Sequence, residues 1–116
     1  MLLAHGHQLP DGPRVRLRLA RSSDRPALGE LARRTGRPCS ELELQRMVRV
    51  RPRARVAICA TAWVDGHEAV VGYAAGDLAA GAPDVVLADE GLAPGVTDVL
   101  AAAVAERAGL QPRTVA

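Results

Sequence analysis

The pattern of apolar and polar residues divides the chain into seven predicted elements. Apolar residues alternate with arginines over 15–19, which is typical of a half-buried β-strand. Over 26–35, and again after Ser40, apolar residues recur at the spacing of one helical face, which predicts two helices. Apolar runs at 56–64, 69–73 and 84–88 predict three strands, and 97–108 returns to helical spacing.

Residues that favour caps and turns lie at the boundaries of these elements. Asp24 precedes the first helix, and we expect its carboxylate to accept hydrogen bonds from the N–H groups at the helix start. Ser40 and Glu43 have the spacing of a capping box. Asp65-Gly66 is a hairpin signal, and Thr97 is predicted to cap the last helix.

The predicted order is therefore β-α-α-β-β-β-α, with a possible short strand at 113–115. Helices must cover at least one face of such a sheet. We expect an α+β fold with a central mixed, mostly antiparallel sheet. Residues 1–13 are predicted to be a flexible tail, and 14–116 to be a single domain.

Composition changes this picture in two respects. The chain of 116 residues contains 22 Ala, one Trp, one Tyr and no Phe, so its core has little apolar area per residue. Residues 1–55 hold 13 Arg against 5 acidic residues, whereas 56–116 hold 2 Arg against 8. Such a division can favour an anionic partner or a homo-oligomer, or it can be an ordinary solvated surface.

Cysteine usage and hydropathy bear on the cellular compartment of the protein. Cys39 and Cys59 lie twenty positions apart without CxxC spacing, and we interpret them as reduced thiols, with Cys59 buried in a strand. Residues 1–9 lack the pattern of a signal peptide, and no apolar run reaches the ~18 residues of a membrane span. We expect a cytoplasmic protein with no membrane partner.

One passage reads Arg18-Leu-Ala-Arg-Ser-Ser-Asp-Arg-Pro-Ala-Leu-Gly-Glu-Leu31, a strand end followed by an Asp and a helix with spaced leucines. A second passage runs from Leu87 to Leu100, between a strand and a helix. Together they resemble the GNAT superfamily of N-acetyltransferases, which places its acyl-CoA loop at the position of the second passage. The resemblance covers roughly residues 14–108 in the order of elements.

The resemblance implies acetyl-CoA or another acyl-CoA as cofactor, no metal, and direct attack by a small-molecule or peptide amine. Backbone N–H groups of Gly95, Val96 and Thr97 would hold the pyrophosphate at a helix start. The strand that contains Leu87 would pair with the pantetheine arm.

The loop also departs from the family pattern. Leu92 stands where the family usually has Arg or Gln, and Thr97 stands where it often has Gly. Three carboxylates, Asp89, Glu90 and Asp98, surround the expected anion site. The single Tyr lies on the third predicted strand, so no catalytic acid or base is assigned. The resemblance therefore implies either an N-acetyltransferase or a noncatalytic interaction module, and a C-terminus shorter than the family's.

A helix-turn-helix nucleic-acid-binding domain is the competing interpretation. Residues 31–42 contain a helix, a Gly turn and a second helix, and the hairpin at 55–73 could serve as a wing. Five arginines lie within 46–55, but aromatic residues for base stacking are absent there. We expect a solvated surface and consider nucleic acid the less favoured partner.

The other candidate groups have simpler explanations. Asp77 and Asp84 flank a turn and are predicted to be solvated. His5 and His7 lie in the predicted tail, without the cluster of ligands that a metal needs. His67 is expected to be an exposed residue of the hairpin.

Overall fold

The structure, a computed structural model, describes residues 6–9, 12–49 and 54–109. Nine elements lie in these ranges: β1 (Gly6–Gln8), β2 (Arg14–Leu19), a 3₁₀ turn (Ser22–Asp24), α1 (Arg25–Arg34), α2 (Glu41–Met47), β3 (Arg55–Val64), β4 (His67–Asp77), β5 (Val85–Ala88) and α3 (Val96–Gly109). The predicted α+β class is confirmed, and the seven predicted elements occur in the predicted order.

The five strands form one sheet in the order β1-β2-β3-β4-β5, and every pairing within the described ranges is antiparallel. The sequence had suggested a mixed sheet. The long central hairpin joins β3 to β4 through Asp65 and Gly66, whose φ angles are 49° and 84°. Positive φ at both central residues is the geometry of a type I′ turn, which explains the Asp-Gly pair.

Helices cover both faces of the sheet. On one face α3 packs against the inner strands, through Val15, Leu17, Ile58, Val71, Val96, Leu100 and Val104. On the other face α1 and α2 cover a second cluster that includes Leu28, Leu31, Leu44, Cys59, Tyr73 and Leu87. Residues 56–62 of β3 are buried on both sides of the sheet, and apart from Thr61 they are all apolar. The expected burial of Cys59 is confirmed.

Small residues bring the layers close together. A Cβ added to Gly72 would lie 2.8 Å from Leu100 Cδ1 on α3. A Cβ on Gly76 would collide with the carbonyl oxygen of Ala82 and lie 2.9 Å from Pro83 Cα. The close approach of α3 and of the β4–β5 connection to the sheet accounts for a core that is rich in Ala and Gly.

The structure differs from the sequence expectation at the N-terminal end of the domain. Gly6–Gln8 pairs with β2, and Leu9 is only 1% exposed, so this part of the predicted tail belongs to the domain. A three-residue strand is too short for alternation to reveal it. Helix α2 ends at Met47, and residues 50–53 and the possible strand at 113–115 lie outside the described residues. None of the described helices combines the length and apolar character needed to cross a membrane.

Candidate functional site

The end of β5 and the start of α3 form the predicted anion site. Leu87 pairs with Tyr73 of β4, and the N–H of Asp89 donates to Val71 O at 2.8 Å. This register directs the backbone groups of Val86 and Ala88 away from β4, toward the outer edge of the sheet. No described strand pairs with that edge, but Arg37 Nη1 donates to Val86 O at 3.0 Å. The outer edge of β5 is therefore partly covered by the α1–α2 connection.

A carboxylate already occupies the amides that lead into α3. The N–H of Gly95 donates to Glu90 Oε1 at 2.9 Å. Glu90 Oε2 accepts the N–H and the hydroxyl of Thr97, at 2.9 and 2.7 Å. These bonds, with the Gly95 N–H as the largest contributor, hold the pKa of Glu90 below its ordinary value. Glu90 therefore caps the helix from within the loop.

The sequence predicted four residues for this site, and three of them come together. Gly95, Val96 and Thr97 lie in the turn that begins α3, and the φ of 93° at Gly95 explains the glycine. The N–H of Val96 donates to Ala93 O at 3.1 Å, so all three predicted amides are engaged within the chain. The side chains of Leu87 and Val96 are buried in the two cores.

One expectation for this turn is wrong in detail. Thr97 was predicted to precede and cap the helix, but α3 begins at Val96, so Thr97 lies in the first turn. Its hydroxyl donates to Glu90 instead of accepting an N–H from the helix. The capping group is therefore the Glu90 carboxylate, which reaches the turn from five residues before Gly95.

A second carboxylate of the loop fastens it to α1. Asp89 accepts from Arg34 Nε at 3.0 Å and from the N–H of Leu92 at 3.1 Å. Arg34 also donates through Nη2 to Val70 O at 3.0 Å. The loop thus has contacts with both β4 and α1, which hold it in the conformation in which Glu90 meets α3.

A cleft of about 500 Å³ lies beside β5, between the sheet and the α1–α2 connection. Its wall includes Arg37, Cys39, Arg46, Tyr73 and Leu87. Leu87, a predicted cofactor contact, therefore borders a cavity that could hold a small molecule. The cleft combines apolar surface with several guanidinium groups.

Three titratable side chains in the wall of the cleft are engaged by hydrogen bonds or partly buried. Tyr73 donates its hydroxyl to Met47 O at 2.7 Å, and burial raises its pKa. Partial burial also raises the pKa of the Cys39 thiol. Glu43 is engaged with Ser40 in the predicted capping box, and the backbone N–H of Ser40 lowers its pKa.

Asp77 and Asp84 also differ from expectation. Asp84 accepts both Nη atoms of Arg55 at 2.7 Å, and Asp77 accepts Nη1 at 3.2 Å. Both carboxylates flank the β4–β5 connection as predicted, but they are ion-paired and not merely solvated. Arg55 joins the start of β3 to this connection, because the three residues meet at the same end of the sheet.

The Asp24 capping expectation is wrong. The Asp24 carboxylate folds back onto β2, where it accepts Arg18 Nη1 and Nη2 at 2.7 Å each. It also accepts the N–H of Arg21 at 2.7 Å and makes no cap bond to α1. The bidentate Arg18 guanidinium, helped by that N–H, holds the pKa of Asp24 below its ordinary value. The charged residues of the opening passage thus connect β2 to α1.

These observations define an α+β domain in which a five-stranded antiparallel sheet lies between helices. The loop after its edge strand β5 leads to a helix start that the Glu90 carboxylate caps. No family model, curated protein or solved structure matches the chain. Within the described residues, no group of three His, Cys, Asp or Glu side chains could hold a metal ion.

Proposed function

We propose that this chain is a noncatalytic GNAT-like interaction domain, in which Glu90 takes the place that the family gives to the pyrophosphate of acyl-CoA. The observation that carries the proposal is the pair of hydrogen bonds from the Gly95 and Thr97 N–H groups to the two Glu90 oxygens. A carboxylate has the charge and the acceptor geometry that a helix start favours in an anion.

Charge repulsion supports this proposal. An incoming pyrophosphate must displace Glu90 and leave that carboxylate close by. Two unit charges about 4 Å apart repel by about 1 kcal/mol in bulk water and about 4 kcal/mol at an effective dielectric constant of about 20. Asp98 in the first turn of α3 adds a second negative charge near this turn, whereas the charge of Asp89 is already paired with Arg34.

The chemistry of the cleft supports it as well. Direct transfer of an acetyl group to an amine needs a neutral amine or a nearby base. Glu43 is engaged in a helix cap, and Asp84 is bonded to Arg55. Neither carboxylate is available as a base of raised pKa, because the pKa of each is lowered.

An active acyl-CoA-dependent N-acetyltransferase is the second candidate. Two observations favour it: the cleft beside Leu87, and the backbone groups of Ala88 that face the outer edge of β5. In this reading acyl-CoA displaces Glu90, the outer edge of β5 pairs with the pantetheine arm, and an amine enters through the cleft.

Calorimetry and thermal shift with acetyl-CoA separate the two candidates. We expect no heat and no thermal shift for the unaltered chain at millimolar ligand, and weak binding for Glu90→Ala, in which the amides are released. Asp98→Ala is the matched control, since it removes a negative charge nearby but frees no N–H group. Saturable binding by the unaltered chain, with acetyl transfer to an amine, would replace the first candidate by the second.

A further inference from the structure

One end of the sheet has a face that no described helix covers. A depression of about 480 Å³ lies there, lined by side chains of β2, β3 and β4. Thr61 pairs with Arg16, and Trp63 pairs with Glu68. Because Val15 pairs with Ala62, the neighbouring Arg14 lies beside Trp63 across the strands. We call Arg14, Arg16, Thr61, Trp63 and Glu68 the Trp63 surface.

The indole of this surface is largely exposed to solvent. Trp63 is 71% exposed, although it is the single Trp of a chain with two aromatic residues of the Phe, Trp and Tyr type. Its strand neighbours Cys59 and Thr61, on the same face, are buried. An exposed large aromatic ring within a depression is a typical feature of a binding surface, because a ligand can cover the apolar ring that the fold leaves in water.

Two arginines of β2 lie near the indole. Within the described residues, Arg14 and Arg16 form no ion pair, whereas Arg18 on the same face is paired with Asp24. Arg14 lies close over Gly6 of β1, where an added Cβ would be 2.5 Å from its Nε. Glu68 contributes one negative charge, so the surface has a net charge of one positive unit from these three residues.

We propose that the Trp63 surface binds single-stranded nucleic acid, with a base stacked on Trp63 and phosphates at Arg14 and Arg16. Two arginines at alternate positions of one strand are about 6.6–6.8 Å apart along it, so they can contact different phosphates of an extended chain. Stacking on an exposed ring and contact with a cationic strand are the two components of sequence-tolerant single-strand binding. Glu68 can accept a hydrogen bond from a base N–H group, such as the N3–H of uracil.

Other occupants fit this surface less well. A two-fold contact with a second copy would bring four arginines together with only two Glu68 carboxylates, so the contact would have a net charge of two positive units. A lipid surface is contacted by an extended apolar area, whereas the Trp63 surface offers one large exposed apolar side chain among four polar ones. The Trp63 surface is also separate from the arginine run at 46–55, which lies in and after α2 and whose residues 50–53 are outside the described ranges.

Intrinsic fluorescence tests the proposal directly, because Trp63 is the only Trp. An eight-nucleotide oligouridylate, titrated at low ionic strength, should change the fluorescence saturably. Two phosphate contacts on a single strand predict a slope of about −1.4 in log affinity against log salt. No saturable change at low ionic strength overturns the proposal.

Variants separate the ring from the charges, with binding followed by the anisotropy of a labelled oligouridylate. Trp63→Leu should weaken binding by roughly 5- to 160-fold, the range for loss of one stacked base. Arg14→Gln with Arg16→Gln should weaken binding and flatten the salt slope. Arg25→Gln with Arg33→Gln is the matched control, with the same loss of charge on α1, and should leave the affinity unchanged. All five side chains can be replaced without opening the core, because none of them is buried, and circular dichroism verifies the fold.

Three further ligands distinguish binding of a nucleic-acid strand from binding of a single nucleotide, of any polyanion or of a membrane. Uridine monophosphate should bind far more weakly than the oligonucleotide, since it offers one phosphate. Dextran sulfate tests for binding by charge alone. If dextran sulfate and the oligonucleotide each bind the unaltered chain and Trp63→Leu with equal affinity, the ring has no role and the proposal is overturned. Vesicles of anionic phospholipid that change the fluorescence when the oligonucleotide does not would assign the surface to a membrane instead.

Discussion

Glu90 and Thr97 are joined by two hydrogen bonds, in which Glu90 Oε2 accepts the Thr97 N–H at 2.9 Å and the Thr97 hydroxyl at 2.7 Å. The other oxygen accepts the N–H of Gly95. A loop carboxylate therefore accepts hydrogen bonds from the backbone N–H groups at the start of α3, at the position where the sequence predicted an anionic ligand. The same residues that suggest a phosphate site thus stabilise the domain from within.

The first prediction concerns the stability that this cap supplies. Glu90→Ala should lower the free energy of unfolding by about 1 kcal/mol at pH 7, the usual cost of losing a helix cap. Urea denaturation at several pH values measures it, with Glu68→Ala, on an exposed strand position, as the control.

The pH dependence of that difference has a defined sign. The pKa of Glu90 is lowered in the folded chain from an ordinary value of 4.5. The stabilisation is therefore fully present above about pH 4.5 and is lost as the pH falls through the lower pKa of the folded chain. A difference between Glu90→Ala and the unaltered chain that stays constant down to pH 2 would contradict the cap.

The second prediction concerns the ion pair between β2 and α1. Asp24→Ala leaves the Arg18 guanidinium partly buried without its carboxylate and frees the Arg21 N–H. The free energy of unfolding should fall by about 3 kcal/mol. Glu30→Gln, which removes the exposed partner of Arg33, should leave the denaturation midpoint unchanged. If Asp24→Ala and Glu30→Gln lowered the free energy of unfolding by equally small amounts, the Arg18–Asp24 pair would stabilise the fold no more than an exposed ion pair does.

The third prediction compares two glycines. Gly76→Ala should destabilise by about 1–3 kcal/mol, because its Cβ meets backbone atoms of Ala82 and Pro83 that cannot rotate away. Gly29→Ala should instead stabilise by about 0.5–1 kcal/mol, since the nearest atom outside its helix is 3.4 Å away and Ala favours a helix interior. Thermal denaturation of both variants gives the two signs, and stabilisation by Gly76→Ala would contradict the close approach.

Local patterns were sufficient to predict the element order. The switch between alternation and helical spacing located β2, α1, β3 and α3, because each has a face against one core. The Ser40–Glu43 capping box and the Asp65–Gly66 turn are likewise confirmed, since both depend on residues close in sequence. The residue types at these positions determine the local geometry.

Contacts between distant segments could not be predicted in the same way. Asp24 has the spacing of a helix cap, but Arg18 on the preceding strand binds it more strongly through two charged hydrogen bonds. The apolar run of β3 gave no indication that Trp63 lies beyond the edge of the covering helices. Glu90 was identified only as an unfavourable charge, although a carboxylate near a helix start is also a potential cap.

The most direct test of the central claim follows the backbone amides of Gly95 and Thr97 by NMR during titrations with acid and with CoA. We predict that both resonances move together as Glu90 becomes protonated, with an apparent pKa below 4.5, and that neither moves with millimolar CoA at pH 7. Saturable shifts of both amides with CoA at pH 7, without any response to Glu90 titration, would contradict the proposal that this carboxylate occupies the anion site.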